Sequence, residues 1–185
     1  MMFNERKAAQ MAAYLLDKRG GTMSHLKLMK LLYLAEREAL ARYGAPMAGD
    51  HLVAMPQGPV LSQTLNHMDG DVESSPGGWD EWVSGKANNE LSLKRDVSRD
   101  DLDELSDADI EVLDHVWEQF GHMTRWKIRD YAHENCREWK NPHGSSVPIS
   151  YRKVFLALGR SNDEASELSD RIESERSLDR LLAEL

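Results

Sequence analysis

The sequence has a single cysteine, Cys136, so it forms no intrachain disulfide and no multi-cysteine zinc module. It also lacks long apolar runs: nothing in it approaches the roughly 20 consecutive apolar residues that a membrane-spanning helix needs. The apolar stretch from Ala8 to Leu16 is interrupted by Gln10. Asp17-Lys18-Arg19 follows it, where a signal peptide would carry small cleavage-site residues, so the chain reads as cytoplasmic. No phosphate loop, dinucleotide fingerprint or glycine-rich cradle occurs, and no cofactor is assigned. Basic charge is in deficit, with 23 Lys and Arg against 32 Asp and Glu and a formal net charge of −9. That balance disfavours nucleic acid as a partner, because phosphate contacts dominate such affinity.

The 185 residues are 41% hydrophobic and 30% charged, enough apolar surface for one folded domain and incompatible with global disorder. The charge is a mosaic. Residues 1–46 carry eight basic and four acidic side chains, whereas residues 96–118 hold ten acids against Arg99 alone. Such a block attracts a basic partner, or is merely a solvated linker leading to a helix N-terminus, where carboxylates suit the helix dipole.

Periodicity predicts helices over most of the chain. Asn4 caps a first helix to about Lys18, with Ala8, Met11, Ala12, Leu15 and Leu16 on one face, and Gly20-Gly21 ends it. Ser24 opens a second helix that runs to Gly44. Its two apolar stripes, Leu28/Leu31/Leu32/Ala35/Ala39 and Leu26/Met29/Tyr33/Leu40, make it central, and its polar strip carries Lys27, Lys30 and Arg37. His51 to Met55 reads as extended, and Pro59 suits the first turn of a third helix to about Met68. Glu81–Ser84 and Glu90–Lys94 read as a hairpin. Ser106 and Asp109 form a capping box before Ile110, Leu113, Val116, Trp117 and Phe120. Thr124 and Ser150 open two more helices, and Ser161 with Glu164 caps a last one lined by Ala165, Leu168, Ile172, Leu178, Leu182 and Leu185. The fold class is mainly α, a compact multi-helix domain with a small β-hairpin.

Constellations with chemistry are few. His133 and Cys136 lie three apart on a predicted helix with Asp130 one turn earlier, the spacing of a thiolate and its base, but no oxyanion-hole motif accompanies them. His115 and His122 are seven apart with His143 beyond, yet no histidine pair stands at i, i+4, so no metal site is assigned. Asp101 and Asp103 begin like a calcium loop that lacks its glycine and terminal glutamate. Trp79 and Trp82 flank Asp80-Glu81, either as an exposed recognition edge or as core.

Three strings carry a resemblance: Leu28-Met29-Lys30-Leu31-Leu32-Tyr33-Leu34-Ala35, then Tyr43-Gly44-Ala45-Pro46, then Met55-Pro56-Gln57-Gly58-Pro59-Val60. With Leu105-Ser106-Asp107, Val116-Trp117, Glu138-Trp139 and Pro148-Ile149-Ser150, they resemble the SocA-like antitoxins, the Panacea domain, over roughly residues 5–160. The organisation is read accordingly as that domain over residues 1–160 with an amphipathic C-terminal helix, 161–185, packed on it or extending it. The resemblance implies a mostly helical, non-enzymatic protein of a bacterial or phage toxin–antitoxin system, whose partner is a cognate protein toxin neutralised by direct contact.

The partner-binding residues expected on this basis are the Gln57-Gly58-Pro59-Val60 turn and the strip of Lys27, Lys30 and Arg37 with Tyr33 between, the strip lying on one exposed side of the second helix. The same residues also admit a structural reading, in which Tyr33 and Val60 are core and Gly58-Pro59 only shapes a turn. A second class of function is a winged-helix-like DNA-binding regulator, built from the first two helices and a later hairpin. A third is a hydrolase using His133 and Cys136.

Overall fold

The structure, a computed structural model, describes residues 2–183. Helix α1 (Glu5–Arg19) begins where Asn4 accepts a hydrogen bond from the Lys7 amide and ends at Gly20, whose φ of 92° favours glycine. Its predicted apolar face is buried throughout. Strand β1 (Thr22–Ser24) leads into α2 (His25–Tyr43), of which twelve of 19 residues are buried, so α2 is indeed the central element.

Strands β2 (Leu52–Met55) and β3 (Gly58–Leu61) form a hairpin with Pro56-Gln57 at its turn, and Val53 faces Val60. Pro59 therefore lies in a strand and not in the first turn of a helix; α3 (Ser62–Asp69) starts three residues later. The sheet order explains the correction. Strand β2 sits between β3 and β5 (Val147–Pro148), which leaves β3 at an edge, the place in a sheet that tolerates a residue without an N–H. The cap of α3 comes from a distance. Buried Asp50, just before β2, accepts hydrogen bonds from the amides of His51, Gln63 and Thr64 and from the Thr64 hydroxyl, at 2.6–2.9 Å.

The expected hairpin over residues 81–94 is also corrected. Trp79–Trp82 winds into a short helix, α4, and β4 (Glu90–Ser92) pairs with β1, leaving two isolated antiparallel bridges, Val83 with Leu93 and Ala87 with Glu90. Trp79 and Trp82 are 1% and 4% exposed, so core packing rather than strand alternation sets this segment. The loop before α4 is tied down by Glu5, which accepts from the Ser74 hydroxyl and from the Ser75 and Trp79 amides. Burial raises the Glu5 pKa, but these hydrogen bonds outweigh it and hold the carboxyl at about 2.

The remaining helices follow their caps: α5 (Asp107–Phe120) from the Ser106/Asp109 box, α6 (Arg125–Asn135) from Thr124, α7 (Tyr151–Ala157) from Ser150 and α8 (Asn162–Ala183) after Ser161. Helix α8 buries Ala165 and Ile172, whereas Leu178 and Leu182 are exposed and Leu185 lies outside the described residues. The acidic block finds much of its basic partner within the chain. Lys7 pairs with Asp109 at 2.8 Å, Lys18 with Asp114 at 2.7 Å, and Gln10 bridges Asp103 and the Glu104 amide. Among the described residues, no helix is long and apolar enough to cross a membrane.

Removing the remote cap leaves three amides and a hydroxyl without an acceptor, two of the donors fully buried on Thr64. Asp50→Ala is expected to destabilise the fold by about 2–4 kcal/mol in urea denaturation, with α3 the first element to lose hydrogen-exchange protection. A loss below about 1 kcal/mol would mean that the neighbouring hairpin positions α3 without this carboxylate.

Candidate functional site

The β2–β3 turn is fastened from beneath by α2. Strand β3 offers an unpaired edge on the side away from β2, and two consecutive α2 side chains fill it: the Lys30 ammonium donates to the Pro59 carbonyl at 2.6 Å, and the Met29 sulfur accepts from the Leu61 amide at 3.3 Å. Lys30 is 0% exposed and has no carboxylate partner among the described residues, and burial pushes its ammonium down to about 7. Gly58 sits over it with a φ of +102°. A Cβ there would come within 3.1 Å of Lys30 Nζ and 3.2 Å of His133 Nε2, so glycine is required both by the backbone angle and by the close approach.

Helix α6 and the segment after it close the other side. His133 stacks flat on Trp139, the rings 4.1 Å apart, and the Trp139 indole N–H donates to the Met55 carbonyl at the end of β2. Burial and the nearby Lys30 and Arg129 cations push the His133 imidazole below its usual pKa. Glu138, whose side chain is fully buried, accepts from the Tyr33 hydroxyl at 2.9 Å and from Arg37 at 2.8 Å. Burial and this carboxylate push the Tyr33 phenol well up, so it stays a donor.

The expected exposed strip is consequently a fastening line. Lys27 is 6% exposed and donates to the Gly121 carbonyl at the C-terminal end of α5, with its ammonium 5.6 Å from the Trp117 ring. Lys30 holds β3, and Arg37 holds Glu138. Tyr33, Gly58, Pro59 and Val60 are buried as well; of the expected set only Gln57 stands exposed, beside exposed Pro56 at the tip of the turn. Lys27 and Lys30 are buried and Arg37 half-buried because each meets a carbonyl or carboxylate belonging to a distant part of the chain, which helical spacing alone does not reveal. The burial of α2 also removes the face that a DNA-reading helix would insert into a groove.

Beside the turn lies a cleft of about 480 Å³ between the N-terminal ends of α2 and α6 and the start of β4. Gln57 and Val60 border it. So does Trp126, 49% exposed, whose ring lies 4.8 Å from the Arg125 guanidinium and 5.0 Å from that of Arg129. Sequence reasoning missed Trp126; an aromatic between two arginines on a predicted helix was the available signal.

Cys136 caps the end of α6, is 1% exposed, and has its thiol pushed up to about 12 by burial and by the Glu138 carboxylate. A thiol held in that state is not a poised nucleophile. Among the described residues, no group of three His, Cys, Asp or Glu side chains converges as metal ligands.

A family model described as antitoxin SocA-like, Panacea domain, matches residues 28–140. The chain belongs to that family. The match spans α2 from Leu28 on, the hairpin, α5, α6 and Trp139, which takes in the fastening described above except Lys27. No curated protein and no solved structure matches the chain. Membership of the SocA-like family points to a non-enzymatic role and, in general terms, to a protein toxin as partner.

Two outcomes test this description of the Panacea-domain site. Lys30 carries a folded-state pKa lowered from 10.5 to about 7, so the cost of its burial is complete below pH 7 and lifts as pH rises toward 10.5. Between pH 7 and 9 the wild type should gain on the order of 1–3 kcal/mol of stability relative to Lys30→Met; parallel stability curves would show that Lys30 is charged and paired in the fold. Cys136→Ala should cost no more than about 1–2 kcal/mol of stability and leave the protein's biological activity intact. Lost activity at unchanged melting temperature would restore a thiol mechanism.

Proposed function

We propose that this protein is the antitoxin of a bacterial or phage toxin–antitoxin pair, acting in the cytoplasm, and that it neutralises its toxin by direct protein contact through the face around the β2–β3 turn. Family membership supports the antitoxin role. The observation that carries the choice of face is the internal fastening: a two-residue tip, Pro56-Gln57, is exposed while Gly58, Pro59 and Val60 behind it are buried, the Pro59 carbonyl is held by Lys30 and the Met55 carbonyl by Trp139. A turn held in this way loses little freedom on binding, which is how a preorganised surface gains affinity. In this reading Gln57 touches the toxin, and Lys27, Lys30, Tyr33, Arg37, Gly58, Pro59 and Val60 act through it by holding the face in shape.

The test begins with the adjacent gene. Its expression alone should arrest growth, and co-expression of this chain should restore it; normal growth with the neighbouring product at verified levels removes the reading. Gln57→Arg, a change at an exposed tip, should weaken toxin binding by roughly ten-fold or more without lowering the melting temperature. Unchanged affinity would move the interface away from the turn.

A further inference from the structure

The cleft beside the turn is electropositive in a protein of net charge −9. Two helices, α2 of 19 residues and α6 of 11, bring their N-terminal ends to it, through Ser24, His25 and Leu26 on one side and Arg125 and Trp126 on the other. Ser24, at the N-cap position of α2, makes no capping bond with its side chain, and its buried Oγ has no hydrogen-bond partner. Asp69 is the only carboxylate bordering the cleft, and Lys86 already binds it. Arg125 makes no ion pair among the described residues, and Lys30 lies at the cleft with none either. The walls between these polar groups are apolar, from Leu26, Met29, Met55, Val60 and Leu65.

Building on the antitoxin reading, we infer that this cleft seats an acidic segment of the toxin: a carboxylate side chain pairs with Arg125 near the N-terminal end of α2, where the His25 amide already donates to the Asn89 carbonyl, and an adjacent apolar side chain packs on Trp126. Charge complementarity selects the occupant. A basic segment would meet Arg125 and two positive helix ends, and a purely apolar one would leave Arg125 and Ser24 Oγ without partners in a desolvated site. Trp126, half exposed and braced by Arg125 and Arg129, is the kind of rigid aromatic anchor around which binding energy concentrates.

Titration calorimetry of the purified toxin, the product of the adjacent gene, against the full chain decides it. Arg125→Glu and Trp126→Ala should each raise Kd at least ten-fold with unchanged melting temperature, since both residues are exposed, whereas Arg125→Lys should stay within about three-fold of wild type. In a co-expression screen of toxin variants in which each Asp and Glu is changed in turn to Arg, one variant should regain neutralisation by Arg125→Glu. Wild-type affinity for both Arg125→Glu and Trp126→Ala would overturn the inference while leaving direct neutralisation standing. Weakened binding by Arg125→Glu that no acid-to-Arg change restores would also overturn it. A wild-type chain that does not bind the toxin at all removes the antitoxin reading itself, and this inference with it.

Discussion

The hydrogen bond from Lys30 to the Pro59 carbonyl joins the central helix to the edge of the small sheet, and the geometry of the whole face depends on it. An edge strand normally finds a neighbouring strand, a covering helix or water for its outward carbonyls. Here α2 covers the edge, and because helix backbone has no spare donors, a side chain must reach across. Lysine supplies the length, and its ammonium gives a short bond at 2.6 Å, but the charge then has one acceptor and no counter-ion in a buried place. Gly58 is the complement of that choice, leaving the space above the ammonium free. The lysine of one signature string and the Gly-Pro of the other are therefore a single physical unit, although the intervening chain includes most of α2 and a loop.

How much of this was readable in advance depends on whether the cause is local. Caps and capping boxes are local, so Asn4, Ser106 with Asp109, Thr124 and Ser150 marked helix starts that the structure places within a residue of the expected positions. Apolar periodicity placed α2 at the centre for the same reason. What failed was the inference that polar means outward. Lys27, Lys30 and Arg37 sit on the polar strip of α2 and are drawn inward by the Gly121 carbonyl, the Pro59 carbonyl and Glu138, acceptors 29 to 101 residues away in the chain. The remote cap of α3 by Asp50 is of the same kind, 13 or 14 residues before the amides it satisfies. Pro59 read as a helix start because its ring presets φ, whereas the missing N–H at a sheet edge proved the stronger constraint.

Charge patterning shows a related contrast. The block of ten acids, read as attracting a basic partner or as a solvated linker, is set by the fold against the basic N-terminal region: Lys7 and Lys18 on α1 meet Asp109 and Asp114 on α5. Long-range attraction between chain segments of opposite sign thus finds its target inside the molecule, and the acidic surplus is left to the outside. Against that background a cleft with positive helix ends and an unpaired arginine is a local inversion of sign, which gives it a selectivity that the net charge would not suggest.

The sealed state of Cys136 makes the molecule convenient to instrument. With the one native thiol 1% exposed and held protonated, a cysteine introduced at the tip of the β2–β3 turn would be the sole fast-reacting sulfur at neutral pH. A fluorophore or photo-crosslinker could then be attached at a single defined position beside the cleft without first engineering the natural sequence. Its emission or its covalent products would report on whatever approaches that edge in a living cell.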